Sequence, residues 1–440
     1  MRTVILDTNV LLDRPIQKIL VSLEPCKVVI PLAVVNELDG FKHLDDSRGY
    51  CAREAIRFLD LLRPNLHKGV LLETGHFINV EVNHVDIKLP EFLPKDKVDT
   101  RILGVAKGLS EETDGVSLVT QDICIRIMAD ALGITAEDYA AEKVSLKTLY
   151  TGWTTIHISS EQVQTLYEFS KIEYVNDDLL PNQYLVMQDE TGGSNLGRYD
   201  RQLGCILPLA RDLNIFGINP IKNNFQQQFA VDALLNPDIH LVTLLGSAGT
   251  GKTLLTLAAG LHQVVNLSRY NNLVVTRALI PHGGQEIGFL PGSKEEKLNP
   301  WMGAIYDNLY FLIRNFTSVK YGTDVTPAER INAFMQEGYL ELEALTYIRG
   351  RSIPQQWIII DEAQNLTKEN VKTIVTRAGA GTKLVILGDI QQIDNYHLTA
   401  QNNGFVTLID RFKGNELYAH VTLQKTERSQ LAALAVELLA

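Results

Sequence analysis

Residues Gly246 to Thr253 read GSAGTGKT, directly after the apolar run Leu241 to Leu245. G-x-x-x-x-G-K-[ST] between a strand and a helix is a pattern in which the backbone N–H groups of a Gly-rich turn wrap a β-phosphate. Gly246, Ser247, Ala248, Gly249, Thr250 and Gly251 would form that cradle, Lys252 would reach the β and γ oxygens, and Thr253 would offer its hydroxyl to Mg²⁺. The chemistry implied is the binding of a nucleoside triphosphate. Hydrolysis needs further groups. The apolar strand Trp357 to Ile360 delivers Asp361 and Glu362 at its carboxyl end, where Asp361 would hold Mg²⁺ and Glu362 would polarise the attacking water. Gln364 follows at a spacing suited to sensing the γ-phosphate or its water. A further strand, Lys383 to Leu387, runs into GDIQQID and sets Gly388, Asp389, Gln391 and Gln392 beside the same edge. Upstream, FQQQFAVDALL (Phe225–Leu235) carries Gln227, whose amide could read an adenine edge through a paired donor and acceptor; a plain helix surface is the alternative. Arg428, in TERSQLA, is a candidate charge donor to the γ-phosphate, in cis or from a neighbouring subunit.

A second set of residues lies far upstream. Asp7 closes the first strand in LDTNVLL, Glu37 sits in VVNELDGF on a helix after the second strand, Asp99 heads a helix in KVDTRIL, and Asp122 follows the strand Leu118 to Thr120. A parallel sheet can bring four such element ends together. Clustered carboxylates repel unless a cation neutralises them, and hard oxygen donors select Mg²⁺ or Mn²⁺. Such ions support phosphodiester hydrolysis. Asp96 lies close to Asp99, and either could point inward. Arg53 and Arg57 share a helical face that could hold a phosphate backbone, with a solvated helix surface as the alternative.

These residues need elements to position them. The first 150 residues or so alternate short apolar strands (Val4–Leu6, Val28–Ile30, Leu118–Val119) with amphipathic helices (Ser47–Leu62, Asp122–Leu132), the texture of an α/β domain with a parallel sheet. Thr154–Ile158 and Tyr184–Met187 then read as strands of a small β-rich module, with Asp189–Asp200 as a long hairpin turn. From Asn214 helix and strand alternate again, with buried strands at Leu273–Val275, Trp357–Ile360 and Lys383–Leu387, and the closing LAALAVELLA reads as a packed helix. The expected domains are therefore 1–145, 146–213 and 214–440. A chain of 440 residues with 45% hydrophobic content can build several cores. No apolar run reaches the roughly 18 residues of a membrane span, and Asp7 interrupts what would be a signal-peptide core. A cytoplasmic protein without a membrane partner is expected. The four cysteines, Cys26, Cys51, Cys124 and Cys205, form no C-x-x-C pair and are expected to be small buried hydrophobes. A net charge of −11 argues against a protein that coats nucleic acid generally, while leaving room for a local basic channel.

GSAGTGKTLL, the segment Thr276 to Leu309, IIIDEAQN, LGDIQQID and TERSQLA together resemble the PhoH family of ATPases, which is related to superfamily 1 helicases. The resemblance covers the chain from about Asn214 and implies ATP as the nucleotide. Within it, Arg277 is the best candidate for a contact to a polymer backbone. DTNVLL, VVNELD, VDTRIL and VTQDI resemble a PIN domain, a metal-dependent nuclease fold acting mostly on single-stranded RNA. That resemblance gives Asp7, Glu37, Asp99 and Asp122 the metal-site roles, with Asn9 and Thr120 in support. Together the two imply a PIN–PhoH fusion in which an RNA helicase or translocase passes single strand to a ribonuclease. Single-stranded RNA or a tailed duplex would be the partner, and a homo-hexamer the assembly. The alternatives are an ATP-driven remodelling factor with a non-cleaving PIN domain, and a toxin-type ribonuclease regulated by its ATPase and by a small protein regulator.

Overall fold

The computed structural model describes residues 2–44, 47–84, 87–90, 93–94, 96–139, 144–190, 192–210, 214–278, 294–316, 325–345, 353–395 and 398–427. The chain divides into two compact units, Met1–Glu142 and Lys143–Ala440.

The first unit is built on six strands: β1 (Thr3–Leu6), β2 (Lys27–Pro31), β3 (Val70–Leu71), β4 (Phe77–Glu81), β5 (Val116–Thr120) and β6 (Ala136–Asp138). Their order is β3-β4-β2-β1-β5-β6, parallel throughout except where β3 runs against β4. Val4, Ile5, Leu6, Val28, Val29 and Ile30 are fully buried. Such unbroken apolar runs are what central parallel strands covered by helices on both faces require. The covering helices include Thr8–Asp13, Leu32–Phe41, Ser47–Leu62, Val98–Glu112 and Ile123–Ala131.

The second unit opens with β7 (Trp153–Ile158), β8 (Ile172–Glu173), β9 (Tyr184–Asp189), β10 (Ser194–Asp200) and β11 (Cys205–Pro208), ordered β7-β9-β10-β11-β8. The expected turn Asp189–Asp200 is a correction: its second half is the strand β10, paired antiparallel with β9. The Gly-rich composition hid the alternating burial of Ser194–Asp200 that marks a half-covered strand. Six parallel strands follow: β12 (Leu241–Gly246), β13 (Leu273–Arg277), β14 (Leu340–Ala344), β15 (Trp357–Asp361), β16 (Lys383–Gly388) and β17 (Tyr418–Leu423), in the order β14-β13-β15-β16-β12-β17. The small sheet packs within this same unit. Thr422 N donates to Thr151 O, and the Asn182 amide donates to the carbonyls of Glu416 and Tyr418. Gly152, at φ +83°, permits the approach: a Cβ there would lie 1.7 Å from the His420 carbonyl oxygen.

Among the described residues no helix is long and apolar enough to cross a membrane. Three cysteines are buried, but Cys124 is exposed on the helix that Asp122 begins, against expectation. The C-terminal LAALAVELLA and Arg428 lie outside the described residues.

One buried lysine anchors a central helix of the second unit, Phe225–Leu235. Lys383, at the start of β16, is 1% exposed, and its Nζ donates to the carbonyls of Ala233 (2.8 Å) and Asn236 (2.6 Å). It thereby caps the C-terminus of the helix Phe225–Leu235, the end that carries partial negative charge. Burial holds its ammonium well below the ordinary lysine range. Lys383→Met keeps the volume and leaves two carbonyls without this donor, so urea unfolding of the full chain is expected to show a loss of about 2 to 3 kcal/mol. An unchanged midpoint would show that the cap contributes nothing.

Candidate nucleotide and metal sites

All six strands of the larger sheet run the same way, so β12, β15 and β16 end on one edge. The turn after β12 passes through Gly249 (φ +83°) and Gly251 (φ +91°) before the helix Lys252–Leu261 begins. Both angles are open to glycine and costly for other residues. A cavity of 310 Å³ lies on this edge, lined by Ala248, Gly249, Gly251, Lys252, Thr253, Leu254, Asn308, Asp361, Glu362, Gly388, Asp389 and Gln392. Lys252 is buried, and its Nζ donates to the carbonyls of Gly246 and Ser247. Thr250 spends its hydroxyl inside the loop on Ser247 O. Asp389 accepts from the loop amide of Ala248 at 3.1 Å.

Asp361 is 7% exposed, and its carboxyl is pushed up to about 6, first by burial and then by the neighbouring Glu362 charge, with Arg277 and Lys252 opposing. Glu362 occupies a left-handed backbone (φ +57°), a conformation of the kind that clusters at functional sites. Its two carboxylate oxygens are both engaged. Oε1 accepts from Arg277 Nη2 at 2.8 Å and Oε2 accepts from Gln364 Nε2 at 2.6 Å. Arg277, expected against a polymer backbone, therefore stands beside the water-polarising candidate.

Gln364 and Gln227 have different places from those expected of them. Gln364 is fully buried and does not line the cavity; its Nε2 also donates to Gln392 O, and its Oε1 accepts from Asp389 N. It braces the ends of β15 and β16. Gln227 is 4% exposed, accepts from Ile221 N and donates to Thr250 O, so its amide holds the phosphate loop with both ends used. Asn308, on the helix Lys294–Asn315, lines the cavity and carries no motif by which the sequence could flag it. Glu427 N donates to Gly249 O, which brings the chain against the loop just before Arg428.

In the first unit Asp7 is 2% exposed at the end of β1. It accepts from Thr8 N at 2.6 Å, Asn9 Nδ2 at 2.7 Å and Thr120 Oγ1 at 2.5 Å. Its carboxyl is pushed up to about 6, chiefly by burial, with the charges of Asp99 and Glu37 adding to the rise. Asp99 is thus the inward member of the Asp96/Asp99 pair, and Asp96 is exposed. Glu37 accepts from Thr8 Oγ1 at 2.6 Å. Asp122 is exposed and caps the helix Ile123–Ala131, accepting from Cys124 N and Ile125 N, and it reaches Asp7 only through Thr120. Arg53 donates to the carbonyls of Lys42 and Leu44, and Arg57 pairs with Glu54, so both have protein partners.

Among the described residues no three His, Cys, Asp or Glu groups close into a cage around one point. What exists is an acidic strand end: one buried carboxylate in the field of two others. Mg²⁺ fits such a group, because it dehydrates reluctantly and is usually held by one or two carboxylates plus waters. Asp361, buried near Lys252 and beside Thr253 in the cavity lining, fits the same way.

A parallel sheet with a phosphate loop and acidic strand ends defines a P-loop nucleotide-binding protein, here carrying a second α/β unit with an acidic edge. Residues 220–440 match the PhoH-like protein family and residues 4–140 match the PIN domain family. The chain is 45% identical to Protein PhoH2 of Bacillus subtilis, covering 99% of both chains. It is 37% identical to Protein PhoH2 of Thermobispora bispora (100% of this chain, 96% of the relative) and 36% identical to that of Mycolicibacterium smegmatis (100% and 97%). The chain belongs to the PhoH2 family, an ATP-binding P-loop domain joined to an N-terminal PIN domain of nuclease type.

Asp7 and Asp361 bind a proton more tightly folded than unfolded. The stabilisation they contribute is complete below the ordinary value of 3.8 and is lost as the pH rises through about 6. A cation held by the ionised carboxylates offsets that loss. Mg²⁺ or Mn²⁺ is therefore expected to raise the melting temperature of the full chain more at about pH 7.5 than at about pH 5. An equal shift at both pH values would show that neither carboxylate holds the ion.

Proposed function

We propose that this chain uses ATP hydrolysis in its C-terminal unit to translocate along or unwind RNA, and that its N-terminal unit cleaves the single strand so produced. Supporting this reading most is Asp7, buried at the end of β1 with Glu37 and Asp99 in its field, in a chain that also holds a cavity at its phosphate loop. A nuclease of this kind needs an unpaired phosphodiester, and nucleotide-driven motion supplies one without waiting for the duplex to open. The proposed organisation is 1–145, 146–213 and 214–440, working as a cytoplasmic homo-hexamer with Arg428 as a charge donor at or near the subunit boundary. Lys252 and the loop amides hold the phosphates, Asp361 and Thr253 hold Mg²⁺, Glu362 orients the water, and Asp389 keeps the loop in register. Asp7, with Glu37 and Asp99, would hold Mg²⁺ or Mn²⁺ over the scissile phosphate, and Asp122 supports the helix behind it. Bound there, the ion would activate water and stabilise the leaving oxygen.

A second reading, an acidic unit that grips RNA without cutting it, is favoured by one observation: Asp122 spends its carboxylate on capping its own helix. One assay separates the two. A duplex with a single-stranded RNA tail is expected to be cut in Mg²⁺ or Mn²⁺ by the wild type with ATP and not by Asp7→Asn. Lys252→Ala is expected to lower ATP hydrolysis by at least about a hundredfold and to spare cleavage of unstructured RNA. Cleavage that survives Asp7→Asn sinks the nuclease assignment. Duplex cleavage by Lys252→Ala at the wild-type rate sinks the coupling.

A further inference from the structure

Glu362 is held as if in a fork with two unlike prongs. Gln364 is the fixed prong: fully buried, it donates to Glu362 and to Gln392 O while accepting from Asp389 N. Arg277 is the other, at the end of β13, where it stands in register with Asp361 of the neighbouring β15. Its side chain and that of Glu362 are each 26% exposed. A carboxylate whose oxygens accept a guanidinium and an amide has those lone pairs committed, and a water must compete with a charge-assisted bond to be held there. The amide cannot yield without unpicking the ends of two strands. The guanidinium is partly exposed, where an arriving anion can reach it.

That anion comes from outside the nucleotide cavity. Glu362 and Lys252 line the cavity and Arg277 does not, so Lys252 is the cation that a bound nucleotide meets there. Guanidinium groups exchange carboxylate for phosphate readily because both accept the same planar fork. We infer that Arg277 is a positioning residue that latches Glu362, and that a phosphodiester of a bound nucleic acid strand releases it, so that ATP is hydrolysed mainly when the strand is engaged. This rests on the role given to Glu362 above.

The test measures steady-state ATP hydrolysis by the full chain with and without a single-stranded oligoribonucleotide, alongside nucleotide affinity. In Arg277→Gln the RNA-free rate is expected to rise about tenfold, the size of one charge-assisted hydrogen bond that no longer has to be broken, and stimulation by RNA to fall toward unity. Arg277→Lys, which keeps the charge and loses the fork, is expected to fall between. An RNA-free rate and stimulation equal to wild type in both variants overturns the latch. So does a parallel fall of both rates in both variants, which a merely structural role produces. Glu362→Gln separates this from the underlying assignment: it is expected to bind ATP and not hydrolyse it. Hydrolysis by Glu362→Gln removes the role of Glu362 itself, and the latch with it.

Discussion

Strands that run parallel and are buried on both faces all leave the apolar interior on the same edge, and there their last amides and carbonyls lose their ladder partners. Whatever follows each strand must be polar, and the polar groups of several strands are forced into one neighbourhood. This chain meets that constraint twice. In one sheet it gathers the phosphate loop, Asp361, Glu362 and Asp389 around a cavity; in the other it gathers Asp7 and Thr120, with Thr8 linking to Glu37. Close packing tightens the edge further. A Cβ on Gly388 would lie 2.6 Å from the Phe405 ring, so the end of β16 can bring Asp389 to the loop only with glycine before it.

The braces on these carboxylates differ in charge, and the difference follows the chemistry. Asp7 is held by the neutral side chains of Asn9 and Thr120 and by a backbone amide. Asp361 accepts from the backbone amide of Glu362. Neutral donors orient a carboxylate without cancelling its charge, which leaves it able to bind a cation. Glu362, proposed to handle water rather than metal, is the one paired with a guanidinium. Burial is the main reason the carboxyls of both aspartates are pushed up to about 6.

The strands and the helix after the phosphate loop were legible because apolar runs and glycine spacing answer to local physics. The acidic cluster was legible in part: strand-end position put Asp7 at the sheet edge, the PIN resemblance added Asn9 and Thr120, which both hydrogen-bond it, and Glu37 and Asp99 stand on helices as expected. Asp122 shows the limit, since a carboxylate one residue before a helix is as good a cap as a ligand. Gln364 and Gln227 show another. Spacing tells where an amide stands along the chain, but whether its two ends face a ligand or the protein depends on strands far away in sequence. Asn308 and the partnership of Arg277 with Glu362 had no local signal at all, being products of the sheet order β13-β15 and of a helix that returns to the edge.

The helix Phe225–Leu235 ties the second unit together, and the ties lie at different points along it. At its start Gln227 donates to Thr250 O of the phosphate loop, while Gln226 accepts from Gln424 N and Lys425 N beyond β17. Asn224 caps it and also donates to Glu427, whose own amide reaches Gly249 O. Further along, Asp232 accepts from Tyr184 of the small sheet at 2.9 Å and pairs with Arg198 at 3.4 Å. At its end Lys383 holds the last carbonyls. A helix fixed at both ends moves as a body rather than bending, because its own hydrogen bonds and packed face resist local deformation. The loop, residues 424 to 427 and the small sheet are thus all hydrogen-bonded to one helix or its cap. Coupling among these regions requires an element with two discrete arrangements, and this helix, held at the loop by a neutral amide and at the far end by the buried Lys383 amine, is an element bonded to all of them.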